Sequence, residues 1–275
     1  MQGIPGLSLF AHAHLRYGLE RRGDRAVDSS RARRRLPRDR YREPAPPLLR
    51  GRRRRRGDGA IRDGVVRRDE LFLQTKFTSV GGQDRRLPYD PHADPATQVR
   101  QSFASSLEHL QVEAIDSYVL HGPSRSRGLS QEDIAVWRAM ESLPVRALGV
   151  SNVALDQLEA LFELAAVKPA FVQNRCFAAT RWDAAIRAFC RAHDIVYQGF
   201  SLLTANLNEL RSAAFREIVQ RTRRTPAQVV FRFARQVGML PLTGTTDPAH
   251  MREDLAIDDF ELSADDVARI ERIAG

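Results

Sequence analysis

The sequence contains very little lysine and very little cysteine. Only Lys76 and Lys168 are lysines among 275 residues, and only Cys176 and Cys190 are cysteines. Neither cysteine belongs to a pattern with metal-ligand spacing. We therefore expect no metal site and a reduced protein of the cytoplasm.

Long apolar runs are also missing, and we expect no signal peptide. No run approaches the ~18 apolar residues that a membrane-spanning helix needs, and residues 1–18 have no basic segment before their short apolar stretch. With 43% hydrophobic and 28% charged residues, the composition is that of a globular protein. The chain is long enough for one large α/β barrel or two smaller domains, and we expect no membrane partner.

Positive charge is confined to one end of the chain. Residues 1–58 hold 17 arginines, no lysine and 6 acidic residues, whereas the remaining residues carry a net charge of −2. Prolines and arginines interrupt every periodic window in residues 1–58, which favours disorder over a folded domain. One alternative is a nucleic-acid-binding segment, but the arginines fall on no regular face and within no recognisable motif, so we expect no nucleic-acid partner.

From residue 59 to residue 275 the pattern is regular and indicates a single domain. Short apolar segments alternate with segments of helical spacing, and helix starts are marked by Ser130 with Asp133 and by Thr225 before Pro226. Six strand–helix units lie between Leu71 and Leu255, which predicts an α/β fold with a parallel sheet. The predicted strands are LFLQTKF, EAIDSYVLHGP, VRALGVSN, AFVQN, IVYQGFSLL and LPLTGTT.

Each predicted strand ends in polar or ionisable residues. In parallel β/α proteins, functional groups gather at the carboxyl ends of the strands. Lys76 fits a solvated strand end about as well as a functional amine, but a lysine in an arginine-rich chain suggests a requirement that arginine cannot meet. His121 fits a structural hydrogen-bonding role or a neutral imidazole that holds a carbonyl oxygen.

These segments, in their order and spacing, resemble the aldo-keto reductases. The resemblance covers residues 60–275 and is carried by LFLQTKF, SSLEHLQVEAIDSYVLHGP, ALGVSN, FVQN, GFSLL and PLTGTTDPAHMREDL. It implies a (β/α)8 TIM barrel, which binds NADPH without a Rossmann domain. It also implies a monomeric enzyme that transfers hydride from NADPH to a small aldehyde or ketone.

The resemblance assigns roles to particular residues. Lys76 and His121 correspond to two of the four catalytic residues: His121 would orient the carbonyl, and Lys76 would lower the pKa of a proton-donating tyrosine. The implied cofactor contacts are Ser151, Asn152 and Gln173 for the carboxamide, Phe200 for ring stacking, Ser201, Leu203 and Asn206 for the pyrophosphate, and Thr245, Thr246, His250, Glu253 and Asp254 for the adenosine phosphate. A lysine and an arginine usual in that last motif are missing, which leaves NADH open beside NADPH.

The other two catalytic residues are not where the resemblance requires them. A DTAxxY motif should precede Lys76, yet Tyr17 and Tyr41 are the only tyrosines before it and neither has a matching context. The barrel is therefore expected to be incomplete, without its first two strand–helix units. Two alternatives stay open: the chain is an active reductase, or it is an inactive remnant of one. For the inactive remnant we expect no carbonyl-dependent oxidation of NADPH.

The genetic code suggests where the motif went. Read out of frame, codons for residues 39–42 can conceal Ile-Asp-Thr-Ala, and the codons that follow can conceal a segment with the missing tyrosine. Alanine and glycine codons of a GC-rich gene also become arginine codons out of frame. We hypothesise that residues up to about Arg56 are a frameshifted reading of an aldo-keto reductase start. A nucleotide sequence whose alternate frame lacks Asp-Thr-Ala and the tyrosine would refute this.

Overall fold

The computed structural model describes residues 67–83 and 87–275, and within them the strands form one parallel sheet of six. Its strands follow one another in chain order, so each β/α unit lies beside the next. The predicted α/β fold is confirmed, and it is consistent with the barrel although the described sheet is not closed. The strands are β1 Gln74–Phe77, β2 Ser117–Leu120, β3 Ala147–Ser151, β4 Phe171–Arg175, β5 Val196–Phe200 and β6 Leu240–Leu242.

Helices connect and follow these strands. Their starts obey local rules: in the capping box of Ser130 and Asp133 each side chain accepts a hydrogen bond from the other's backbone N–H, and Thr225 caps the helix that begins with Pro226. Both predicted helix starts are thus confirmed. The α-helices of the described residues are α1 Pro95–Leu110, α2 Gln131–Glu141, α3 Leu155–Leu164, α4 Ala184–Ala192, α5 Ala213–Thr222, α6 Pro226–Gln236, α7 Pro248–Leu255 and α8 Ala264–Glu271.

One predicted helix starts later in the structure than the sequence suggested. The segment RWDAAIRAFCRAHD reads as helical throughout, but Arg181, Trp182 and Asp183 have φ angles of 52°, 54° and 55° and form a left-handed turn before α4. The indole N–H of Trp182 donates to the carbonyl of Ile270 at 2.8 Å. This tertiary contact holds Trp182 in a turn, and the prediction that it lies on a helix was wrong.

The sheet is curved, so that side chains of β1 reach those of β4 and β5. The ring centroids of Phe72 and Phe171 lie 5.6 Å apart, and Gln173 Nε2 donates to Gln74 Oε1 at 3.1 Å. Because alternate residues of a strand share a face, Phe171 and Gln173 define the inner face of β4. The interior thus has an apolar layer at the amino ends of the strands and a glutamine layer above it.

The outer face of the sheet packs against the helices. Tyr118 of β2 is fully buried there, and its hydroxyl donates to Ser102 Oγ of α1 at 2.8 Å. No helix within residues 67–83 and 87–275 combines the length and apolar character that crossing a membrane requires. The frameshift hypothesis and the nucleic-acid alternative concern residues 1–58, which lie outside the described residues.

Candidate active site

Lys76 lies at the carboxyl end of β1 and points into the mouth of the curved sheet. Its side chain is 4% exposed, and Nζ lies 3.4 Å from Ser151 Oγ on β3. The same nitrogen lies 5.6 Å from the centroid of the Phe200 ring at the end of β5. Burial disfavours the charged amine and lowers its pKa to about 7.

Ser151, Asn152 and His121 form a connected rim beside Lys76. Ser151 Oγ donates to the carbonyl of Gln173 at 2.5 Å and accepts from Asn152 Nδ2 at 3.2 Å. The same Asn152 amide donates to the carbonyl of His121 at 2.8 Å, and the His121 N–H donates to the carbonyl of Phe77. Asn152 has a φ of 50°, a left-handed conformation that asparagine tolerates better than most residues. His121 is therefore held through its backbone next to the lysine.

Gln173 is the centre of an amide network just beneath this rim. Its Nε2 donates to Gln74 Oε1 at 3.1 Å and to Gln198 Oε1 at 3.0 Å. Gln173 is 1% exposed, yet its Oε1 has no hydrogen-bond partner among the described residues. A buried acceptor without a partner costs free energy unless a bound group satisfies it.

The segment after β5 begins in a left-handed conformation and is fixed by Asn206. Ser201 has a φ of 58°, and Ser201 and Leu203 are both partly exposed. Asn206 is 1% exposed: its Nδ2 donates to the carbonyls of Cys176 and Leu202, and its Oδ1 accepts from the N–H of Ala178 at 2.7 Å. The Asn206 side chain is thus committed to joining two loops, while Ser201 and Leu203 remain accessible.

The five residues assigned to adenosine phosphate differ in their surroundings. Thr246 and His250 are exposed, and Thr245 Oγ1 accepts from the N–H of Asp247. Glu253 is partly buried, and its carbonyl accepts from Gln228 Nε2.

Asp254, by contrast, is buried and accepts from Thr243 Oγ1 at 3.1 Å. Burial raises the pKa of Asp254 to about 6. The exposed side chains of Thr246 and His250 can therefore contact a bound group directly, whereas the Asp254 carboxyl is buried against Thr243.

The three tyrosines of the described residues donate their hydroxyl protons elsewhere. Tyr89 donates to the carbonyl of Thr78 at 2.6 Å, and Tyr197 donates to Asp183 Oδ2 at 2.7 Å. Tyr118 donates to Ser102 on the outer face. Each of these three hydroxyls thus has an acceptor other than the amine of Lys76.

Sequence reasoning missed Arg175 at the mouth. The predicted strand AFVQN ends at Asn174, but Asn174 faces outward, where its side chain pairs with the backbone of Val153. Arg175 shares the inward face with Gln173, and its side chain is exposed. The period-two alternation of a strand, continued by one step from Gln173, would have identified it.

Comparison with known proteins agrees with this architecture. The model of the Aldo/keto reductase family matches residues 58–274. The chain is 28% identical over 226 residues to 9,11-endoperoxide prostaglandin H2 reductase of Trypanosoma cruzi, covering 79% of this chain and 73% of that protein. It is 29% identical to glyoxal reductase of Bacillus subtilis, covering 78% and 72%, and 31% identical to D-galacturonate reductase of Fragaria ananassa, covering 76% and 68%.

Solved structures give the same result. An aldo-keto reductase crystallised with NADPH superposes with a TM-score of 0.66 at 26% identity, covering 78% of this chain and 68% of that one. The aldo/keto reductase of Brucella melitensis has a TM-score of 0.65 at 25% identity, covering 79% and 78%. Since the family model spans well over half of the chain, the protein belongs to the aldo/keto reductase family of NADPH-dependent oxidoreductases.

Proposed function

We propose that the mouth around Lys76 and His121 is the site at which a hydride passes from NADPH to the carbonyl carbon of a small aldehyde or ketone. The observation that carries this proposal is the convergence of Lys76, Ser151 and Phe200 above the buried amide of Gln173. The names of the relatives, which include glyoxal and D-galacturonate reductases, also support a carbonyl substrate.

The residues beneath the mouth fit a nicotinamide. The partnerless Oε1 of Gln173 is a buried acceptor, and a carboxamide N–H is the kind of donor that would satisfy it. Ser151 and Asn152 line the same rim, and the partly exposed ring of Phe200 offers a face for stacking. When bound, NADPH supplies the hydride; Ser201, Leu203 and the segment of Asn206 would hold its pyrophosphate.

The adenosine end would lie along the start of α7. Thr245, Thr246 and His250 present polar side chains there, and Glu253 and Asp254 follow on the same helix. None of these five residues carries a permanent positive charge. We therefore propose that the chain takes NADPH and also accepts NADH.

Within the mouth, the protein's own part is to polarise the carbonyl and supply a proton. An imidazole N–H of His121 can donate to the carbonyl oxygen, which favours the negative charge that develops there. Lys76, with a pKa near 7, can hold or release a proton at neutral pH. Among the described residues Lys76 can supply this proton, since the hydroxyls of Tyr89, Tyr118 and Tyr197 donate to other acceptors.

The same tyrosine contacts favour a second candidate, a family member that binds NADPH without turning over a carbonyl. Titration of the chain with NADPH, followed by an assay of NADPH oxidation with small aldehydes, separates the two. Binding with turnover supports reduction, and binding without turnover supports the inactive remnant. If the chain binds neither NADPH nor NADH, both candidates fail.

Variants test the assigned cradle. We expect Gln173→Met to raise the Kd for NADPH about tenfold, since it removes an acceptor from a buried contact. Gln220→Met, on an exposed position of α5, is the matched control and should leave the Kd unchanged. An unchanged Kd for Gln173→Met would contradict the carboxamide assignment.

A further inference from the structure

Arg175 ends β4 on the inner face of the sheet, close to the proposed reaction site. Phe171 and Gln173 on the same strand point inward. Cys176, which follows Arg175, is buried in the outer core. Arg175 is paired in register with Phe200, the residue whose ring lies 5.6 Å from Lys76 Nζ. The Arg175 side chain therefore begins at the rim of the mouth, next to the strand end that carries Phe200.

The charge of Arg175 has no acidic partner in the part of the chain that the structure describes. Its guanidinium lies over the ring of Phe177, 5.4 Å from the centroid, and the side chain is exposed. Arg187 and Arg232, in contrast, are both paired with carboxylates. An arginine held on an aromatic face without a counter-ion is available to an incoming anion.

The segment that carries Phe177 is fixed on both sides. Asn206 accepts from the N–H of Ala178 at 2.7 Å and donates to the carbonyl of Cys176 at 3.0 Å. Phe177 itself is 38% exposed, so its ring is open to solvent. Because the backbone on both sides of Phe177 is held in place, less conformational freedom is lost when a ligand uses the pair.

We propose that Arg175, stacked on Phe177, determines substrate choice by binding a carboxylate of the carbonyl substrate. The favoured substrates are then aldehydes or ketones that carry a carboxylate a few bonds from the carbonyl. The guanidinium fork matches a carboxylate through two parallel hydrogen bonds. This inference rests on the proposed carbonyl reduction. A phosphate of the cofactor would offer similar anionic oxygens, so the test separates these two sources.

The test compares 4-oxobutanoate with butanal, two aldehydes that differ in the terminal carboxylate. For Arg175→Met we expect KM for 4-oxobutanoate to rise about tenfold or more, while KM for butanal and the Kd for NADPH stay unchanged. Arg175→Lys keeps the charge but loses the two parallel hydrogen bonds of the guanidinium. Its KM for 4-oxobutanoate should therefore lie between the values of the unaltered chain and of Arg175→Met. Arg224→Met is the matched control, since Arg224 also stacks on a phenylalanine, Phe260, at 4.8 Å.

A binding measurement keeps the test independent of turnover. Succinate, which cannot be reduced in this way, is titrated calorimetrically into each protein in the presence of NADP+. Tenfold weaker succinate binding by Arg175→Met supports the proposal. Equal binding by both proteins, or no binding by either, overturns it, and a loss of NADPH affinity alone assigns Arg175 to the cofactor and overturns it too. Absence of turnover with both aldehydes counts against the proposed function, whereas the succinate result still decides the role of Arg175.

Discussion

Lys76 has lost most of the hydration that an ammonium group enjoys in water. Its side chain is 4% exposed, and burial lowers its pKa from 10.5 to about 7. Arginine stays charged under all ordinary conditions, so it cannot replace an amine that releases its proton near neutral pH. The scarcity of lysine in an arginine-rich sequence pointed to such a requirement at this position, and the lowered pKa agrees with it.

At the residue scale, this pKa predicts a pH-dependent stability. The unfolded chain binds a proton at Lys76 with a pKa of 10.5 and the folded chain with one of about 7. The unfolded chain therefore binds more protons than the folded chain between these two pH values, and the free energy of unfolding rises with pH there. Below pH 7 the buried amine destabilises the fold by its full amount. The free energy of unfolding of Lys76→Met should exceed that of the unaltered chain by about a few kcal/mol at pH 6 and by little at pH 10.5.

Urea unfolding at the two pH values measures this difference. Lys168→Met removes an exposed lysine and serves as the control. If Lys76→Met changed stability equally at pH 6 and pH 10.5, the buried amine would not have the lowered pKa described above.

At the scale of elements, Asn206 links the segments that follow β4 and β5. Its amide makes three hydrogen bonds with backbone groups of Cys176, Ala178 and Leu202. The family resemblance implies that Asn206 contacts the pyrophosphate of the cofactor, and that role stays a proposal. The observed contacts show that its side chain holds together the loops that carry Phe177 on one side and Leu203 on the other.

Replacing Asn206 should therefore affect both stability and cofactor affinity. Asn206→Ala leaves three buried backbone groups without partners and is expected to lower the free energy of unfolding by about 2–4 kcal/mol. The loosened loop should also raise the Kd for NADPH. Chemical denaturation and NADPH titration measure the two effects, with the exposed Asn208→Ala as control. A stable variant with unchanged NADPH binding would show that the loops are held by other contacts.

At the scale of the whole molecule, α8 contacts the left-handed turn that precedes α4. Arg187 is 6% exposed and donates to the carbonyls of Trp182 and Val237, and its Nη2 lies 2.5 Å from Glu271 Oε1. The Trp182 indole reaches the carbonyl of Ile270 on the same helix. One buried guanidinium thus ties α8 to the left-handed turn and to the chain leading into β6.

Glu271→Gln tests this tie. It leaves the buried Arg187 without a carboxylate, and we expect a loss of about 1–3 kcal/mol, because Glu271 is itself only partly buried. Glu217→Gln breaks the exposed pair with Arg269 and should cost clearly less, because water screens both charges. Thermal unfolding of both variants makes the comparison. Equal losses would mean that the burial of Arg187 does not govern the stability of this contact.

Local patterns were enough to predict much of the architecture. Helix starts such as Ser130 and Thr225 depend on hydrogen bonds three residues apart, and strands depend on short apolar runs, so both are visible in the sequence. The turn of residues 181–183 was not predicted, because its left-handed backbone is stabilised by Trp182 through a contact with Ile270, 88 residues away.

The sequence by itself determined the alternation of strands and helices, and it put polar residues at the strand ends where a parallel sheet gathers them. Only the tertiary structure decided which of those residues meet. Gln74 contacts Gln173, 99 residues away, because the sheet curves, and the same curvature brings Phe200 to Lys76 and leaves Arg175 at the rim. Sheet curvature is set by packing on both faces of all the strands together, and no single stretch of sequence contains that information.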